Sequence, residues 1–147
     1  MKKSIITISI MATYIMAFMM SSFKTIPSAS ASKALAFDKE AVIFSGSITS
    51  SDGGSTYFGD VTASGAINAT GTFEMPTKLI GMALHCTFVL TFPSGTITIR
   101  MNCNMTTFNG VWQILEGTGA YQNLKGGGSL VMPNDTDEIL TGTVKGL

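Results

Sequence analysis

The chain has 147 residues, 45% of them apolar and only 12% charged, with nine basic and nine acidic side chains and two cysteines. That length suits one domain rather than two. From residue 32 onward six bases face nine acids, a net charge of −3, which excludes the basic footprint of a binder of nucleic acid or of anionic membrane.

The N-terminus reads as an export signal. Lys2 and Lys3 precede an apolar run from Ile5 to Met20, and Ala29-Ser30-Ala31 follows as a small-residue cleavage site. This is the basic, apolar, then A-x-A order of a signal peptide, and it forms a helix while attached. The run is 16 residues, short of the ~20 needed to span a bilayer, and Pro27 ends any helix before the cleavage site. Residues 1–31 are therefore expected to be removed. The mature protein is expected to be secreted or periplasmic, without stable membrane insertion after cleavage, and residues 32–40 form a lead-in to the folded part.

From residue 41 to 147 short alternating stretches separated by Gly, Pro, Asn and Asp predict strands and turns. Eight strands are expected: Ala41–Thr49, Ser55–Ala63, Ala66–Phe73, Met82–Phe92, Thr96–Cys103, Gly110–Leu115, Gly127–Met132 and Glu138–Lys145. Their even spacing predicts an all-β fold, an eight-stranded antiparallel up-and-down β-barrel, with a β-sandwich as the alternative.

One hairpin can be argued residue by residue. Leu84, Cys86, Phe88, Leu90 and Phe92 alternate with His85, Thr87, Val89 and Thr91, and Ile97, Ile99, Met101 and Cys103 alternate with Thr98, Arg100 and Asn102 after the turn. Such alternation marks strands with one buried face. Closing the hairpin at Ser94-Gly95 sets Phe92 against Ile97, Leu90 against Ile99, Phe88 against Met101, and Cys86 against Cys103. Directly opposed cysteines stand at disulfide distance, and an exported protein meets an oxidising compartment. A Cys86–Cys103 bridge is the expectation, and two buried free thiols are the alternative.

The segment from Trp112 to Leu130 holds Gly117-Thr118-Gly119-Ala120-Tyr121, then Leu124 and Gly126. It resembles the G-T-G-x-[YF]-x-x-[AL]-x-G pattern of eight-stranded barrels similar to the allene oxide cyclases and dirigent proteins of plants, and of small secreted bacterial proteins. The likeness spans about 40 residues and implies the barrel fold. The polar residues of the plant proteins have no matching positions here, so their activity is not implied. On physical grounds the glycines permit a tight corner, Tyr121 covers it, and Leu124 re-enters the core.

Little catalytic chemistry is legible. His85, the only histidine, falls on the polar face of a strand. No metal-ligand cluster and no cofactor motif stands out. Asp135, Asp137 and Glu138 read as a solvated turn. Barrels of this size are either filled by side chains or hold one small ligand. Arg100, Trp112, Glu116 and Tyr121 are the candidate ligand-binding residues. The expected role is non-catalytic binding of a small apolar ligand or a surface partner. The alternatives are an isomerase or cyclase acting by confinement, and a structural envelope protein with a filled barrel. A homo-oligomer is compatible with any of these.

Overall fold

Period-two hydrophobicity does build strands here, and they close on themselves. The computed structural model describes residues 38–147, so the expected signal peptide and most of the lead-in lie outside the described residues. The strands are β1 (Glu40–Ser51), β2 (Thr56–Gly65), β3 (Ala69–Ile80), β4 (Ala83–Phe92), β5 (Gly95–Asn104), β6 (Asn109–Gly117), β7 (Lys125–Val131) and β8 (Asp137–Lys145). Each pairs antiparallel with the next, and β8 pairs back onto β1 from Glu40↔Val144 to Ser47↔Asp137. This is a closed up-and-down barrel, not a sandwich, and closure leaves no free sheet edge.

All eight expected strands are present, and β3 departs most from expectation. It runs to Ile80, through the Met75–Lys78 stretch that reads as a turn. Pro76 sits inside the strand opposite Thr56 of β2. It lacks an N–H, so it can occupy only a ladder position that needs no donor from it. The turn falls instead at Gly81-Met82, where Gly81 takes a φ of +61°.

The middle of the barrel is filled. One inward row runs Met101, Trp112, Gly128, Gly142, Val42 across five strands. Gly142 in that row makes space for the indole: a Cβ on it would lie 2.6 Å from Cζ2 of Trp112. The indole meets Phe44 edge-on at 5.7 Å between centroids, and its Nε1–H donates to the Thr141 carbonyl at 3.2 Å. Nearby, Phe73 lies over Gly59 and Gly46 and packs against Phe88 at 5.3 Å. Each such side chain contributes roughly 1.5–3 kcal/mol through burial.

One end is plugged. Ile67, Phe92, Tyr121 and Leu124 are buried there. The Gly-Thr-Gly-Ala-Tyr corner forms a single 3₁₀ turn, Gly119–Tyr121. It pins the tip of the β4–β5 hairpin through Ala120 N–H to the Ser94 carbonyl and Thr118 N–H to the Thr96 carbonyl, both 2.9 Å.

That pinned tip overturns the expected disulfide. The β4–β5 loop is the two residues Pro93-Ser94, so Phe92 faces Gly95, Leu90 faces Ile97, and Cys86 faces Met101. Cys103 faces Leu84. Proline presets the first turn position. Gly95 then leaves the turn at φ +143°, with the site of its missing Cβ only 2.1 Å from the Thr118 carbonyl oxygen. The register is two residues from the expected one. An even shift preserves which face is buried but separates the cysteines. Both are buried free thiols.

Candidate functional site

At the other end the barrel stays open. The β1–β2, β3–β4, β5–β6 and β7–β8 loops surround a cavity of about 470 Å³, within the usual size of small-molecule sites. Its buried members are Met75, Met132 and Glu138, and Tyr57, Leu84 and Phe108 are among its walls.

Glu138 is the one unusual residue in this setting. It is 1% exposed, and neither carboxyl oxygen has a hydrogen-bond partner among the described residues. Burial pushes the carboxyl from its ordinary value of 4.5 up to about 8, because a low-dielectric site disfavours the charged form. At neutral pH the group therefore carries its proton.

The local sequence explains how an acid comes to point inward. In the turn before β8, Asn134 Oδ1 accepts from the N–H groups of Thr136 (2.9 Å) and Asp137 (2.7 Å). Asp137 is held outward by Asn134 Nδ2 at 2.8 Å and Ser47 Oγ at 2.9 Å, and these donors hold its carboxyl below the ordinary range. With Asp137 outside, strand alternation places Glu138 inside, in phase with Leu140 and Val144. Its cross-strand neighbour is Gly46. A Cβ there would sit 3.6 Å from Oε2 and 3.3 Å from the Phe73 ring, so glycine leaves the carboxyl its room.

The thiols are close enough to feel this acid. Burial first, then the Glu138 charge, then Cys103, push Cys86 up to about 12. Burial and Glu138 also raise Cys103, whose Sγ lies 3.7 Å from Sδ of Met132. Both are protonated at neutral pH and so poor nucleophiles. Among the described residues no group of three or more His, Cys, Asp or Glu is placed to hold a metal ion.

The residues singled out from sequence are not brought together here. Arg100 is exposed on the outer face of β5, opposite Thr87 and Gln113. Glu116 is exposed opposite Thr98, beside a bulge in β5–β6 pairing. Trp112 belongs to the packed centre, and Tyr121 to the plugged end, edge-on to Phe92 at 5.9 Å. None of the four lines the open cavity. Glu138, read from sequence as part of a solvated turn, does line it. The available signal is its spacing of two and six residues from Leu140 and Val144.

Fold and site together define a closed antiparallel barrel, filled through its centre and plugged at one end, with an apolar mouth that encloses a neutral carboxyl group. No protein-family model matches the chain, and no curated protein matches it.

Proposed function

We propose that this chain is an exported, non-catalytic barrel that binds one small, mostly apolar ligand in its open mouth, with a polar end of that ligand against Glu138. The carrying observation is Glu138, which lines a 470 Å³ apolar cavity and whose two buried oxygens have no hydrogen-bond partner among the described residues. An unpaired buried polar group costs roughly 1–3 kcal/mol, and a bound ligand removes that cost by supplying the partner. Export rests on the Lys2-Lys3, Ile5–Met20 and Ala29-Ser30-Ala31 order.

The test is titration of the barrel with a neutral apolar dye such as Nile red, beside Thr77→Phe. Thr77 is half-buried and lines the mouth, so the larger side chain narrows the cavity. Saturable one-to-one binding that weakens in Thr77→Phe supports the reading. Absent or non-saturating binding, or binding indifferent to Thr77→Phe, overturns it.

A second reading, isomerisation or cyclisation by confinement, is favoured by one observation. An acid held protonated at neutral pH inside an apolar cavity is the kind of group that donates a proton to a bound substrate. Recovery of a co-purified ligand chemically altered by the protein would favour this reading over plain binding.

A further inference from the structure

The cavity also carries information about the charge of its occupant. Among the described residues its ionisable lining consists of Glu138, Asp135 and the phenol of Tyr57, and no lysine, arginine or histidine contributes. Asp135 is exposed at the rim, while Glu138 is 1% exposed and lacks any donor to either oxygen. Both neighbouring thiols, Cys86 and Cys103, belong to the buried core. Exposed Lys78 stands on β3 between the lining residues Thr77 and Leu79 but is not itself part of the lining. Every ionisable group that does line the cavity is an acid, and the deepest of them, Glu138, has no basic partner among the described residues.

We propose that the barrel mouth selects an amphiphilic cation, an organic amine whose protonated nitrogen meets Glu138 and whose hydrocarbon body fills the apolar walls. This rests on the ligand-binding reading above and names the ligand class of the same site. An ammonium nitrogen supplies the N–H donors both oxygens lack, together with the missing counter-charge. A charge-assisted bond of that kind is roughly twice as strong as a neutral one. Tyr57 and Phe108 add aromatic faces to the cavity wall, and such faces favour cations. A carboxylate ligand would meet two acids and no base.

Binding also moves a proton. The amine arrives as its ammonium ion and Glu138 holds a proton in the empty barrel. In the complex the carboxyl is ionised against the ammonium, so one proton leaves to solvent for each amine bound.

The experiment is isothermal titration calorimetry near neutral pH with phenylbutylamine, phenylbutanol and phenylbutyrate, three ligands sharing one hydrocarbon frame. The amine is measured in buffers of different ionisation enthalpy, which counts the protons released. The amine is expected to bind about tenfold or more tighter than the alcohol, the equivalent of one charge-assisted hydrogen bond, with about one proton released and the carboxylate excluded. Glu138→Gln is expected to bring amine affinity down to that of the alcohol. Equal affinity for amine and alcohol, or amine binding without proton release, overturns the cation inference and leaves apolar ligand binding standing. Failure of all three to bind overturns both. The proton count is made on the unaltered protein, so the inference remains decidable even should the variant fold poorly.

Discussion

Replacing Glu138 by Gln should stabilise the ligand-free barrel, and by an amount that grows with pH. The carboxyl is raised from 4.5 to about 8 in the folded state. Below 4.5 both folded and unfolded chains hold the proton, and the group adds no pH dependence. Between these values the unfolded chain ionises while the folded one does not, so unfolding is favoured progressively as pH rises. The slope is about 1.4 kcal/mol per pH unit, which amounts to about 3 kcal/mol at neutral pH and levels off near 5 kcal/mol above the folded value. Glutamine keeps the shape and cannot ionise. Urea unfolding monitored through Trp112, the only tryptophan, gives the measurement. With m of about 1.5 kcal/mol/M, the variant's midpoint should exceed the parent's by about 2 M at neutral pH, and the two should converge near the unperturbed carboxyl value. Midpoints that stay a constant distance apart across that range would refute the claim that Glu138 is buried and protonated.

Other expectations arise from the register and the packing. Thiol titration without reductant should find two reactive groups in denaturant and none in the folded protein at mildly alkaline pH, since both cysteines are free and buried; fewer than two in denaturant would contradict the β4–β5 register. Gly142→Ala places a methyl 2.3 Å from the Gly127 carbonyl oxygen and 2.6 Å from Trp112, and should cost about 1–3 kcal/mol or more in thermal or urea unfolding. Trp112→Phe removes the donor to Thr141 and should cost about 1 kcal/mol from the hydrogen bond, with lost ring packing added to it, read by circular dichroism. Asn134→Ala removes a donor to Asp137, so the Asp137 carboxyl should titrate closer to its ordinary value in an NMR pH series; an unchanged titration would mean the turn does not hold that side chain.

How much of the barrel is legible in the sequence depends on what period-two patterning encodes. It carries the inward face of a strand, so Phe88, Leu90, Ile99 and Met101 fall inside as their alternation requires. It does not carry the two-residue choice of hairpin register, because a shift of two leaves every face unchanged. That choice belongs to Pro93, Gly95 and the distant corner at Thr118 that holds the tip. The cysteine pairing depends on the register and changes with it. Candidate polar residues cluster near the recognisable motif, yet Arg100 and Glu116 face outward. Glu138 is hidden by its neighbours, since Asp135, Asp137 and Glu138 together look like a solvated turn. Strand phase, counted back from Leu140, separates the one that enters the barrel from those that do not.

The geometry of Glu138 bears on why a barrel would keep it. Methionine or leucine there would fill a similar volume without an unsatisfied group, and swaps of buried ionisable groups for apolar ones are often neutral or stabilising. The acid therefore works against the stability of the empty protein at neutral pH, by about 3 kcal/mol on the proton linkage. A ligand present at a hundredfold over its dissociation constant returns about 2.7 kcal/mol, a matching amount. On the amine reading, stability becomes conditional on occupancy: the empty barrel is weakened by the same carboxyl that anchors the cation. Glu138→Met should then separate the two roles. It should raise the unfolding midpoint of the empty protein near neutral pH and shrink the further rise that phenylbutylamine produces in the parent. If the parent gains no stability from the amine, or the Met variant gains as much, the acid is not the anchor.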